Sequence, residues 1–228
     1  MKALVWLGLL LLAGCAAVSP RPETPSALPA APAAGRGWWY AAFEFAWPEG
    51  EAPAWHRDVM VAHRVVAPIL KAYRSQIGYW RIHRRAARDG AGHRFSFIFY
   101  AEPRTAQAIY AAIASDPNLE AWRRRGIIRK TQFDDPDKIT RPRLEDTSDP
   151  AWPELIQKTW PAYIQGVCEM WLELVTYLAA ELAGETLEEE PYRRVQEALD
   201  ALWAANANHA FLHHLNAIYA YQPFWTRY

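Results

Sequence analysis

The 228-residue chain lacks most of the sequence features that identify a catalysed reaction or a bound ligand. It has two cysteines, no GxSxG or HExxH motif, no ExxH pair and no glycine-rich phosphate loop. Its 25 basic residues balance its 25 acidic residues, which argues against bulk binding of nucleic acid. Its N-terminal apolar run is shorter than the about 20 residues that a transmembrane helix needs. These absences favour a binding protein, or an enzyme with an unfamiliar arrangement of side chains.

The first fifteen residues have the layout of an export signal. Lys2 precedes an apolar stretch, residues 3–13, and small residues lead to Cys15. The segment Leu12-Ala13-Gly14-Cys15 resembles the lipobox of bacterial lipoproteins. The resemblance implies that residues 1–14 are removed and that Cys15 is lipidated as the first residue of the mature chain. Stable attachment needs two or more acyl chains. An ordinary signal with a chance cysteine is the alternative.

The same resemblance indicates a location. Ala16 follows Cys15, at the position where aspartate often marks inner-membrane retention in Gram-negative lipoproteins. The expected place is therefore the bacterial cell envelope, on the outer membrane and facing the periplasm. Residues 15–36 form a tether rich in proline and alanine, which raises the folded part from the bilayer. With Cys15 acylated, Cys168 has no partner for an intramolecular disulfide.

Residues 37–135 predict an α+β unit with the element order β-α-β-β-α-β. The pattern predicts strands near residues 38–45, 77–86, 93–100 and 127–133, with helical residues 54–76, 105–114 and 117–125 and a C-cap at Gly126. Phe95, Phe97 and Phe99 alternate with smaller or polar residues and are predicted to face the helices. Two right-handed crossovers joined by a hairpin predict a ferredoxin-like sandwich.

Residues 136–150 are polar and contain three prolines, which predicts a connection to a second unit, residues 151–228. Asp149 and Pro150 are typical of an N-cap and a first helical position, so a helix is expected from there to residue 183. A break at residues 184–186 and a last helix from Pro191 to about Tyr221 complete a helical hairpin. The short connection predicts that its helices are antiparallel and pack on the α+β unit.

The helical hairpin carries the candidate site. Residues four apart form two polar stripes, Gln165, Glu169 and Glu173 on one helix and Asn206, His209, His213 and Asn216 on the next. If the stripes meet, Glu169, Glu173, His209 and His213 combine carboxylates with imidazoles, which can bind a metal ion or transfer protons. The alternatives are a polar seam whose groups satisfy one another, or two solvated faces. No metal or cofactor is assigned.

Other polar residues have plainer interpretations. His56 and His63 are predicted at the surface, and Cys168 in the core. The arginine clusters around residues 81–94 and 123–130 are solvated side chains or contacts to anionic headgroups. The favoured function is an anchored, non-enzymatic envelope lipoprotein that binds a partner protein or a small molecule, and no nucleic acid. The alternative is a periplasm-facing enzyme or metal-binding protein that uses the Glu/His seam.

Overall fold

The computed structural model describes residues 35–183 and 186–221; Cys15 and most of the tether lie outside these ranges. The strands are β1 (Gly37–Phe45), β2 (Tyr79–Ala86), β3 (His93–Ala101) and β4 (Ile128–Phe133). The helices are α1 (His56–Val61), α2 (Ala67–Tyr73), α3 (Pro103–Ala114), α4 (Pro117–Arg124), α5 (Glu154–Leu182), α6 (Glu189–Ala207) and α7 (His214–Ile218).

The strands form one antiparallel sheet in the order β2-β3-β1-β4. Along the central pair, Trp39 lies opposite Phe99 and Phe43 opposite Phe95. The predicted mixture of helices and strands, with a C-terminal helical pair, is confirmed. Gly126 follows α4 with a φ of +70°, which is the left-handed conformation expected of a glycine after a helix.

One face of the sheet packs against the helices. Phe95, Phe97 and Phe99 are fully buried and belong to the main hydrophobic core, together with residues of α1, α3 and α5. Alternation puts them on one face because successive side chains of a strand point to opposite sides. Burial of each ring contributes about 1.5–3 kcal/mol to folding.

Part of the other face of the sheet is covered by the connection that precedes α5. Trp38, Ile98 and Tyr100 form a small buried cluster there. The Trp38 indole donates to the Leu144 carbonyl at 2.9 Å, and the Tyr100 hydroxyl donates to the Pro142 carbonyl at 2.8 Å. Residues 136–150, predicted only as a connection, thus cover part of the second face of the sheet and include a short 3₁₀ turn, Leu144–Thr147.

Helix α5 lies along the edge strand β2. The backbone N–H of Trp80 donates to Gln165 Oε1 at 3.2 Å, and that of Ile82 donates to Cys168 Sγ at 3.3 Å. An uncovered edge would leave such donors open to pairing with another chain. Burial raises the pKa of the Cys168 thiol, so the side chain stays protonated as a core residue.

The predicted start of α5 is wrong. Asp149 and Pro150 belong to a turn in which the Asp149 carboxylate accepts the Ala151 N–H at 2.8 Å. Helix α5 begins at Glu154, four residues after the predicted first helical position. Pro161 lies inside α5 without ending it. Its missing N–H leaves the Gln157 carbonyl without a helical donor. The Ser148 hydroxyl donates to that carbonyl at 2.8 Å and replaces the lost bond.

The two other long predicted helices are interrupted. The segment predicted as residues 54–76 consists of α1, a π-helical stretch (Ala62–Val66) and α2, with Pro68 as the second residue of α2. The widened turns precede the proline, whose ring disfavours regular helical bonding to residue 64. The last helix changes in the same way to a π-helical stretch at Asn208–His213, and α7 ends at Ile218 rather than Tyr221.

Candidate functional site

A buried ion pair joins α1 to the sheet. Asp58 is 0% exposed, and its carboxylate accepts from Arg84 Nε on β2 at 2.8 Å. The second carboxylate oxygen lies 3.0 Å from Nε2 of His93 on β3, which is also fully buried and packs against Phe45 and Trp55. Because a carboxylate only accepts, Nε2 carries the hydrogen. One acid thus bonds both the half-buried Arg84 and the fully buried His93.

Arg84 links this network to the C-terminal helical pair, α5 and α6. Its guanidinium group lies between two indole rings, 5.3 Å from the centre of Trp55 and 5.0 Å from that of Trp171 on α5. Its Nη2 donates to the Trp55 carbonyl at 3.0 Å and to Gln196 Oε1 on α6 at 2.9 Å. A charged group held between aromatic faces is stabilised by cation–π attraction. Arg84 therefore fixes both helices to the sheet.

Beyond Arg84 an apolar groove of about 340 Å³ opens between α5 and α6. Its walls are mainly apolar side chains: Val167, Met170, Trp171 and Leu174 from α5, and Leu199, Leu202, Trp203 and Phe211 from α6 and the segment after it. Polar groups come from Arg84, Gln196 and Asp200, and Gln196 donates to Asp200 at 2.7 Å. Pockets that bind small molecules have volumes of about 300–1,000 Å³, mostly apolar walls and few polar groups.

The helical pair also exposes many apolar side chains. In residues 35–183 and 186–221, the large apolar side chains that are exposed all lie between residues 155 and 221. Trp203 is 60% exposed and stacks on Phe211, while Ile218 is 80% and Tyr219 68% exposed. A monomeric protein rarely leaves contiguous apolar patches larger than a few hundred Å² open to water. This surface, together with the groove, is the candidate functional site.

The predicted glutamate stripe exists, and it lies against α2 and β2. Gln165 and Glu169 face the same side of α5, and Gln165 Nε2 donates to Glu169 Oε1 at 2.9 Å. Arg74 after α2 donates to the same carboxylate oxygen, also at 2.9 Å. Glu173 is exposed one turn further and lines a shallow depression with Arg74.

The predicted histidine stripe has different neighbours. His209 and His213 are exposed, and their rings stack with centres 5.3 Å apart and planes 9° apart. His214 lies 5.3 Å from both rings, and Tyr221 5.6 Å from His213. Across the described ranges, no three histidine, cysteine or acidic side chains are grouped so that they could hold a metal ion. The structure gives the Glu/His seam no support as a metal site.

A second buried contact was missed from the sequence. His56, predicted at the surface, is 4% exposed, and its Nε2 lies 2.7 Å from Glu189 Oε2 at the start of α6. Arg57 Nε donates to the same oxygen at 2.7 Å. His56 and then Arg57 lower the pKa of the Glu189 carboxyl from its ordinary 4.5 to about 2. The surface prediction for His56 is wrong because its partner lies 133 residues away.

His63, also predicted at the surface, is half-buried rather than fully exposed. Its Nδ1 lies 2.8 Å from the hydroxyl of Tyr192, a fully buried residue of α6. The contact is a second tie between the first helical segment and α6. It gives His63 a structural role.

Comparison with models of protein families, with curated proteins and with solved structures finds no significant match to this chain. Within the ranges that the structure covers, no helix combines the length and the apolar character needed to cross a membrane. Cys15 lies outside these ranges. The features of this chain that bear on its function are the groove, the exposed apolar surface and the N-terminal sequence.

Proposed function

We propose that the chain is a membrane-anchored envelope lipoprotein whose folded part is a binding or interaction domain. The anchor is proposed from the segment Leu12-Ala13-Gly14-Cys15 and the proline-rich tether that follows it. In this account Cys15 carries the lipid, and the tether gives the domain reach above an outer membrane on its periplasmic side. The partner is an envelope protein or a small apolar molecule.

The observation that carries the binding role is the apolar groove between α5 and α6 with the exposed side chains around it. The groove has the volume and lining of a ligand pocket. Trp203 projects beside it, and tryptophan is among the residues enriched where binding energy is concentrated. The predicted catalytic alternative has weaker support, because Glu169 is held by Gln165 and Arg74 while His209 packs on His213 and His214.

We also propose that the sheet and its flanking helices are ferredoxin-like. The strand order β2-β3-β1-β4 supports the proposal, because it places the first and third strands at the centre and the second and fourth at the edges. Helical segments separate β1 from β2 and β3 from β4, as two split crossovers require. The function does not depend on this proposal, since the groove is formed by the helical pair.

The anchor is tested with Cys15→Ser in the full chain. The variant should incorporate no labelled palmitate and should leave the membrane fraction for the soluble fraction. Ala16→Ser, which keeps the cysteine, is the matched control and should remain labelled and membrane-bound. Unchanged fractionation of Cys15→Ser would refute the anchor.

The binding role is tested by photo-cross-linking in cells that express the full chain. A photoreactive phenylalanine analogue replaces Trp203 beside the groove or, as control, Gln107, an exposed residue of α3. We expect one or a few discrete adducts from position 203 and none from position 107. If position 203 gives no adduct above the control, the proposed binding role fails.

A further inference from the structure

The uncovered side of α5 has the spacing of a helix-packing surface. Apolar residues recur there at alternating intervals of four and three, and they are exposed or half-buried: Ile156, Trp160, Tyr163, Val167, Met170, Leu174 and Tyr177. We call this set the α5 seam. Its average period of 3.5 residues is the one at which a helix presents a continuous apolar line to another helix. The inner side of α5, with Leu172 and Val175, is already buried in the core.

The segment after the middle of α6 is a second apolar surface. Residues 201–221, here called the C-terminal arm, contain no Asp, Glu, Lys or Arg. Residues 201–206 are all exposed, and Ala207 is the arm's one buried residue. A helix that faces water normally carries charged or strongly polar residues on that side. Beside its stripe of asparagine and histidine side chains, the arm also exposes Trp203, Ile218 and Tyr219.

The seam and the arm border the same groove. Val167, Met170 and Leu174 of the seam line one wall, and Trp203 and Phe211 of the arm line the other. A helix laid in this groove would contact both surfaces at once. The alternating spacing of the seam therefore selects a helix as the occupant rather than an extended peptide.

We infer that the occupant is a second copy of this chain, with the α5–α6 pair of each copy packed on that of the other in a twofold four-helix arrangement. The inference rests on the proposed binding role and names its partner. A twofold contact brings the same surface of both copies together, so each residue-to-residue contact across it occurs twice, once in each direction. Helix pairs with one uncovered apolar side are completed in this way in four-helix bundles.

Charge favours a second copy over a different partner. Neither the seam nor the arm contains an acidic residue, lysine or arginine. Two identical surfaces that carry mainly one sign of charge would oppose like charges, at a cost of several kcal/mol. The seam and the arm therefore add no such cost, and they offer no pattern of acidic and basic residues with which to select an unlike protein; Arg84 and Asp200 are the charged groups that line the groove itself.

The exposed area is sufficient for a stable dimer. Tyr163 is 52%, Trp203 60%, Ile218 80% and Tyr219 68% exposed. A large side chain has about 150–250 Å² of surface. Multiplying this area by the exposed fraction of each apolar side chain in the seam and the arm gives roughly 1,000 Å² of exposed apolar surface per copy. A standard protein interface buries about 800 Å² per partner.

Gly166 provides the sharpest test of this surface. It lies on an exposed flank of the seam, three residues after Tyr163 and four before Met170. A Cβ built at Gly166 meets nothing within 4 Å in this chain. A side chain at this position is therefore free of clashes in the single copy and favours the helix, because glycine is the poorer helix former. The same side chain would obstruct a second helix that packs on the seam.

The experiment measures the mass of the full lipidated chain by sedimentation in density-matched detergent over a concentration series. Wild type should be a dimer. Gly166→Arg and Met170→Glu should each raise the dimer dissociation constant at least about 100-fold, the equivalent of about 2.7 kcal/mol. Gly166→Ala and the surface control Ala111→Glu on α3 should change it less than about threefold. Thermal melts show that all variants are folded, and Gly166→Arg should melt no lower than wild type at concentrations where both are monomeric.

A wild-type chain that stays monomeric overturns the inference, and so does a dimer that Met170→Glu and Gly166→Arg leave unchanged. A monomer whose arm inserts into phosphatidylcholine vesicles, seen as a blue shift of tryptophan emission that Trp203→Ala abolishes, would assign the surface to lipid and also overturn it. Photo-cross-linking from position 203 separates this failure from that of the proposed function. A discrete adduct with another molecule leaves the binding role in place, whereas the absence of any adduct removes both.

Discussion

Removal of the Asp58 carboxylate is the most informative perturbation of the folded part. Asp58 is fully buried, and it is held by Arg84 at 2.8 Å and by His93 at 3.0 Å. In Asp58→Ala, Arg84 Nε and His93 Nε2 lose their acceptor, and His93 is fully buried. Breaking a buried ion pair by removing one partner costs about 3–5 kcal/mol. That is a large part of the about 5–15 kcal/mol that stabilises a typical domain.

A second variant separates the cost of losing the carboxylate charge from the cost of losing side-chain volume. Asp58→Asn keeps the shape and removes the charge, so it should still cost at least about 2 kcal/mol, because hydrogen bonds to charged groups are worth about 1.5–3 kcal/mol each. Asp116→Asn is the matched control. Asp116 is only partly exposed and caps α4 through two backbone N–H groups, and asparagine caps helices about as well as aspartate does. The control should therefore change stability by less than about 0.5 kcal/mol.

The assay is urea unfolding of the full chain followed by tryptophan fluorescence, analysed by linear extrapolation. Arg84 touches Trp55 and Trp171, so emission reports on the same region. The double variant Asp58→Ala/Arg84→Met should recover part of the loss, since it removes both members of the pair. If Asp58→Ala costs less than about 1 kcal/mol, Asp58 does not hold α1 to the sheet and the reasoning about this network is wrong.

Three further predictions concern the rest of the fold. Glu189→Gln removes a carboxylate whose pKa is lowered to about 2 by His56 and Arg57, so its stabilisation is fully present above pH 4.5 and is lost as the pH falls through 2. The unfolding free energies of wild type and variant should differ by about 2–3 kcal/mol at pH 7 and converge only below about pH 2. A constant difference at every pH would contradict the assignment. Phe97→Ala should cost about 3–5 kcal/mol and lower the melting temperature clearly, and a silent variant would refute its place in the core. Cys168 should react with a maleimide only after unfolding, because burial keeps its thiol protonated and covered; labelling in the folded state at the rate of a free thiol would show otherwise.

The parts of the fold that the sequence predicts well are those set by local pattern. Strand β3 was located because Phe95, Phe97 and Phe99 repeat with a period of two, and the structure buries all three. The end of α4 was located because Gly126 tolerates a positive φ. These features depend on neighbouring residues alone, which a single sequence displays directly.

The parts that the sequence misses depend on residues far apart in the chain. His56 was assigned to the surface, since nothing near it shows that Glu189 will lie 2.7 Å away. The start of α5 was placed too early because Asp149 and Pro150 form a turn of their own. The sequence around Pro161 does not show that the Ser148 hydroxyl will donate to the Gln157 carbonyl in place of the missing proline N–H. Each outcome is decided by tertiary contacts that no local pattern encodes.

Part of the Asp58 network can nevertheless be predicted from the sequence. His93 is in phase with Phe95 and Phe97, so the alternation that buries those rings also places His93 on the core side. Asp58 directly precedes Val59, Met60 and Val61, which form the buried run of α1. An acid and a histidine that both fall on core positions predict a buried pair, since neither is stable there alone. The sequence does not predict that Arg84 links this pair to α5 and α6.

The central claim is that the helical pair of the anchored chain is an interaction surface, and hydroxyl-radical footprinting tests it most directly. The full chain is oxidised in its native membrane and again after purification and dilution, and the rates at Trp203 and Tyr163 are compared with that at Trp47, a half-buried residue outside the helical pair. The account predicts that Trp203 and Tyr163 are oxidised several-fold more slowly in the membrane while Trp47 is unchanged. Equal rates in both states at all three residues would contradict it.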